Sequence, residues 1–207
     1  MKTLLRHLSF ISLLLGLATI ATPAVAKDAA PTTFAKVGDT LPDASVLDEA
    51  GRSVALRDLV KDGPAVLVFY RGGWCPYCNR HLMALAEAES RILAAGHRIV
   101  AISPDQPAKL KATPDREQLG YRLYSDRKAD AAQALGIAFR VSDELVAKYK
   151  NEYQIDLEAA SGETHHLLPH PAVFVVGTDG VIRFAHVNPD YRARLSPEEI
   201  LAAVEAK

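Results

Sequence analysis

Apolar positions along this chain follow two patterns. Ala65 to Tyr70 and Ala172 to Val176 are short runs uninterrupted by a polar residue, whereas Leu82, Leu85, Ala86, Ala88, Ile92 and Leu93 recur at helical spacing. The first pattern predicts strands covered by helices on both faces. The second predicts a helix that begins at Cys75 and is clearest over Cys78 to Ala95, with Gly96 as its stop. Further strands are expected at Arg98 to Ile102 and Tyr121 to Tyr124, and short helices at Ala108 to Ala112 and Ala129 to Leu135. Ala44 to Leu47 and Ser53 to Ala55 read as a small hairpin around Asp48-Glu49-Ala50-Gly51, followed by a helical turn at Leu56 to Val60. Ala172 to Val176 and Val181 to Val187 form a second hairpin through Gly177-Thr178-Asp179-Gly180. Ser196, Pro197 and Glu199 carry the N-cap, first-turn proline and capping box of a last helix. Alternating strands and helices that close on a hairpin imply an α/β fold, with a mixed central sheet flanked by helices in a single domain. Val141 to Leu168, with a helical piece at Asp143 to Tyr153, reads as an insertion before the terminal hairpin.

The first 26 residues do not belong to that pattern. Lys2, Arg6 and His7 make a basic start, Leu8 to Ile20 is nearly all apolar, and Ala24-Val25-Ala26 is a small-x-small cleavage site. These features predict a signal peptide over 1–26, export to the periplasm and a mature start at Lys27. The apolar stretch falls short of the roughly 18 residues a membrane span needs, so no membrane attachment is expected after cleavage. Residues 27–36, rich in Ala, Pro and Thr, read as a flexible leader, and 37–207 as the domain. With 24 Lys and Arg against 25 Asp and Glu, the chain carries no basic surplus of the kind a nucleic-acid surface needs.

Charge and pattern leave the chemistry open; the cysteines narrow it. Both lie in Trp74-Cys75-Pro76-Tyr77-Cys78, where a strand, a loop (Arg71-Gly72-Gly73) and a helix start meet. A bridge closing so short a loop removes little unfolded-state entropy, so the pair is read as functional rather than structural. A sulfur at a helix N-terminus faces unpaired N–H groups and the positive end of the helix dipole, which favour thiolate. Cys75 is therefore the expected nucleophile, with Arg71 a candidate to stabilise its charge. Cys78, about 5 Å away on the same helix, is within disulfide reach. Trp74 is a candidate for packing over the pair and shaping a binding surface. His165, His166, His170 and His186 fit no common ligand spacing, so neither a metal nor another cofactor is expected.

The run Phe69 to Cys78 resembles the thioredoxin-fold superfamily. Within it, the chain is similar to the peroxiredoxin-like branch of the alkyl hydroperoxide reductase/thiol-specific antioxidant family. Val37-Gly38-Asp39-Thr40-Leu41-Pro42, Leu123-Tyr124-Ser125-Asp126, Leu135-Gly136-Ile137 and Pro169 to Val176 ahead of Asp179-Gly180 follow the family's order. The resemblance implies a thioredoxin-like fold and a thiol-dependent peroxidase that takes hydrogen peroxide or organic hydroperoxides. Cys75 would form a sulfenic acid, Cys78 would resolve it, and a thioredoxin-like or other thiol would reopen the Cys75–Cys78 disulfide. It also makes Pro171 a candidate cis proline facing the cysteines. The chain departs from the family at Gly72, where a Thr is usual three residues before the reactive cysteine. An exported thiol-disulfide oxidoreductase acting on proteins is the alternative reading, and a non-enzymatic binding module with a static disulfide is the second.

Overall fold

A computed structural model describes residues 33–206, so the stretch read as a signal peptide and most of the one read as a leader lie outside the described residues. Nine strands and six helices appear among them. In chain order they are β1 (Ser45–Leu47), β2 (Ser53–Ala55), β3 (Ala65–Phe69), α1 (Pro76–Ala94), β4 (Arg98–Ser103), α2 (Pro107–Leu110), β5 (Arg122–Ser125) and α3 (Asp130–Ala134). Then come β6 (Ala138–Arg140), α4 (Asp143–Glu152), α5 (Leu157–Ser161), β7 (Leu167–Pro169), β8 (Ala172–Val176), β9 (Ile182–Val187) and α6 (Pro197–Glu205).

Seven strands form one sheet in the order β2-β1-β5-β4-β3-β8-β9. The pairs β3–β4 and β4–β5 are parallel, joined by helical crossovers, while β8, β9, β1 and β2 add antiparallel edges. The apolar run of β3 lies inside the sheet, between β4 and β8, and alternates into two cores. Val66, Val68 and Tyr70 face the cluster shared with Leu82, Leu85 and Ile92 of α1 and Ile200, Leu201 and Val204 of α6. Ala65, Leu67 and Phe69 face the opposite cluster, with Leu135, Phe174 and Ile182. Ser196 caps α6 with the expected capping box.

Three features differ from the sequence expectations. Val141 to Leu168 stands outside the main sheet, before the terminal hairpin, and carries more structure than the one helical piece expected, forming an annex. Its α4 and α5 are followed by β7, which pairs antiparallel with β6 in a separate two-stranded sheet. Strands of three residues leave too short a pattern to read. The annex has its own small core of Val141, Tyr149, Leu157 and Leu168, and Trp74 packs against it. Second, the peptide before Pro171 is trans, as are all others among the described residues, so the cis expectation is corrected. His170 stacks on Phe139 at 4.5 Å, and the chain runs extended there from β7 into β8. Third, the end of the stretch read as a leader is tied to the domain: Ala35 N–H donates to the Leu135 carbonyl at 3.0 Å, and Phe34 packs on the His170 ring.

Candidate active site

β3 and α1 are joined by Tyr70 to Cys75, and this loop sets the site. Cys75 is the N-cap of α1 and Pro76 its first residue, one position later than expected, because proline is favoured at the first helical position. The Cys75 carbonyl accepts from the N–H groups of Cys78 (3.0 Å) and Asn79 (3.1 Å), which starts the helix. Its side chain makes no capping bond, so the sulfur is left for chemistry. Asn79, given no role by the sequence, donates from Nδ2 to the Gly73 carbonyl at 2.8 Å. On the other side, Asp105 at the end of β4 accepts the Gly73 N–H at 2.7 Å. The loop is thus clamped from helix and sheet.

Gly72 explains the departure from the family pattern. Its φ is +143°, a region that side chains other than glycine rarely adopt, and a Cβ there would fall on the Trp74 indole nitrogen and 2.8 Å from an Asp105 oxygen. A threonine cannot occupy this position without moving Trp74.

The two sulfurs are inequivalent. Both are free thiols and both are buried, Cys75 to 1 % exposure and Cys78 to 0 %. A hydrogen bond from Cys78 to the Cys75 sulfur is the largest influence holding Cys75 down, to about 6 from an ordinary 9.0. Burial opposes this, while the nearby Cys78 N–H and the cations Arg71 and Arg194 assist. Cys78 moves the other way: burial first, then its partnership with Cys75, pushes it well above the ordinary thiol value. The pair therefore holds one thiolate and one thiol at neutral pH, the division that nucleophilic attack followed by resolution requires.

The structure brings Arg71, Trp74, Cys75 and Cys78 together. Arg71 is buried, hydrogen-bonded to the Tyr149 hydroxyl, and lies 5.0, 5.6 and 4.3 Å from the ring centres of Trp74, Tyr149 and Tyr191. Pro171 lines a small cleft with His81 and Arg194. Four contributors were missed from sequence: Tyr149, Arg194, Asp105 and His81. Arg194 donates from Nη2 to Cys78 Sγ at 3.4 Å. His81, on the buried face of α1, bonds through Nε2 to the Leu195 carbonyl at 3.0 Å, which ties the Arg194 segment to the helix. Burial and then Arg194 lower His81 to about 4, so the ring is neutral. Burial raises Asp105 to about 6. His81 shares a face of α1 with Cys78, three positions on, while Tyr149, Arg194 and Asp105 reach the site only through the topology. Beside it, Trp74, Gly73, Asp105, Lys109, Pro114 and Ile155 line part of a cavity of about 450 Å³. Among the described residues no three His, Cys, Asp or Glu are grouped to hold a metal ion. His165 and His166 are engaged with the Arg127 carbonyl and the Glu158 carboxylate.

The chain is 30% identical over 111 residues to "Peroxiredoxin bcp1" of Schizosaccharomyces pombe, covering 54% of this chain and 57% of that protein. It is 32% identical over 97 residues to "Peroxiredoxin Q, chloroplastic" of Gentiana triflora, covering 46% and 44%. The matches thus span about half the length of these curated relatives. The crystal structure of "Peroxidoxin BcpB from Mycobacterium tuberculosis" superposes with a TM-score of 0.63 at 22% identity, over 82% of this chain and 96% of that one, which establishes the thioredoxin-type fold. A profile described as "AhpC/TSA family" matches residues 37–185, and with the cysteine pair at the start of α1 in the place described above, the chain belongs to that family.

Proposed function

We propose that the protein is an exported thiol peroxidase. Cys75 thiolate attacks the terminal oxygen of a hydroperoxide; the O–O bond breaks, leaving a sulfenic acid on Cys75 and an alkoxide that takes up a proton to become ROH. Cys78 thiol then attacks the oxidised sulfur, the S–S bond forms, and water leaves. A dithiol reductant, such as a thioredoxin-like protein, reopens the disulfide by exchange and is itself oxidised. The sum is ROOH + 2 RSH → ROH + H2O + RSSR. Neither metal nor organic cofactor enters it.

The observation that carries this reading is the thiolate–thiol division between Cys75 and Cys78 inside a site closed to solvent. Arg71 stabilises the thiolate and the charge developing on the leaving oxygen, since a fixed cation in a dry site acts strongly. Trp74, which partly lines the adjoining cavity, is the candidate contact for the organic part of a substrate. Exchange with folded protein disulfides, supported by the Trp-Cys-Pro-Tyr-Cys sequence, is the second reading. It is less favoured because the family profile over residues 37–185 and the relatives named above are of the peroxiredoxin type. Export rests on the sequence of residues 1–26 alone.

Mass spectrometry of Cys78→Ser after one equivalent of hydrogen peroxide tests the assignment. A sulfenic acid trapped on Cys75 by dimedone supports it. Unmodified protein, together with rapid reduction of insulin by the wild type, favours exchange instead.

A further inference from the structure

Arg71 poses a problem of charge. It is a guanidinium at 4 % exposure, yet among the described residues no carboxylate lies within salt-bridge distance of it, and its Nε has no hydrogen-bond partner. Taking an unpaired charge out of water is costly. Three ring faces surround it instead. Trp74 comes from its own loop, Tyr149 from α4, and Tyr191 from the segment between β9 and α6. The rings support one another: Trp74 and Tyr149 are 5.9 Å apart, and Tyr77 of α1 meets Tyr191 edge-on at 5.6 Å. The Tyr149 hydroxyl accepts from Arg71 Nη2, which fixes the orientation of the plane.

Aromatic faces and carboxylates both stabilise a buried cation, with opposite consequences for its neighbours. A carboxylate cancels the charge. A ring quadrupole attracts the cation and leaves its net charge in place. A cation held this way still acts on a nearby anion.

We propose that Tyr149 and Tyr191 are positioning residues that hold Arg71 as an uncancelled cation beside Cys75, which makes the 141–168 annex part of the active site. The inference rests on Cys75 being the reactive sulfur and supplies the annex with a role. It also accounts for the annex packing on Trp74, since the same helix face that buries Tyr149 closes the third side of the cage. The charged and titratable groups acting on Cys75 are Cys78 on α1, Arg71 in the loop, Arg194 after β9, and Asp105 at the end of β4.

Ultraviolet titration of thiolate in the reduced protein provides the test, with no peroxide present. The first ionisation belongs to Cys75, because Cys78 titrates far higher. The expected midpoint rises by about one unit in Tyr149→Leu and about half a unit in Tyr191→Leu, with Tyr149→Phe between wild type and Tyr149→Leu. Tyr153→Leu, which touches the Tyr149 ring but does not reach Arg71, leaves it in place. Because Tyr191 is partly exposed, and Tyr149→Phe keeps the ring, these two decide the matter even if Tyr149→Leu fails to fold. Wild-type midpoints in both, or an equal shift in Tyr153→Leu, overturn the proposal. A midpoint that moves as expected in a protein inert to peroxide supports the cage while refuting the peroxidase reading.

Discussion

Arg194 Nη2 donates to Cys78 Sγ at 3.4 Å, so the buried thiol that resolves the intermediate in the proposed mechanism has a cation of its own. Cys78 is held protonated by burial, and it has to lose that proton as it attacks Cys75. A guanidinium in contact with the sulfur favours the developing thiolate. Arg194→Met, similar in length and uncharged, is expected to slow disulfide closure about tenfold or more, while changing peroxide attack less. Trp74, the one tryptophan of the chain, lies beside the pair and reports both phases in stopped-flow fluorescence. Equal slowing of both phases, or of neither, would contradict this assignment.

Gly72 is expected to resist replacement by the family's threonine. Gly72→Thr forces a side chain into a positive-φ position already filled by Trp74 and Asp105. A loss of about 1 to 3 kcal/mol in urea denaturation is predicted, with no gain in peroxide rate. A variant as stable as wild type and faster with peroxide would mean the loop rearranges freely.

Stability should fall as pH rises from acid to neutral once Cys75 and His81 are silenced. Asp126 lies buried below α3 and accepts from Ala131 N–H at 3.1 Å and Ala132 N–H at 2.8 Å. Burial nevertheless raises it to about 7 from 3.8. Asp105 moves in the same direction, to about 6. A folded-state value above the unfolded one contributes stability that is complete below the unfolded value and disappears as pH rises through the folded one. Cys75 has the opposite sign: its depressed value contributes stability above the ordinary thiol range that is lost as pH falls through about 6. His81, lowered to about 4, also gains stability as pH rises through this window, so the decline, of a few kcal/mol between pH 4 and about pH 8, is expected in Cys75→Ser/His81→Gln and is smaller when Asp126→Asn is added. A stability that increases over that range would contradict the burial argument.

The frame of the fold was legible because its signals are local. The β3 run, the helical spacing of α1, the Asp-Gly turn before β9 and the capping box of α6 each specify one element from a few adjacent residues. The juxtaposition of the two cysteines is legible for the same reason, since Cys75 and Cys78 share one helix turn. The residues that tune the pair were not. Tyr149 is 78 positions from Arg71, and Arg194 is 116 from Cys78. Asp105 follows the strand expected at Arg98 to Ile102 and Tyr149 lies in the helical piece at Asp143 to Tyr153, and only the parallel sheet and the annex bring them to the loop. The strand pair β6–β7 of the annex is not legible because each strand is three residues long, too short for alternation to register.

The pH dependence of oxidation by hydrogen peroxide, followed by stopped flow on the fully reduced protein, tests the central claim most directly. The account predicts a second-order rate constant far above that of free cysteine thiolate, rising with pH through a single midpoint near 6, the value held by Cys75. A rate constant no better than that of the free thiolate, or a midpoint in the ordinary thiol range, would contradict it.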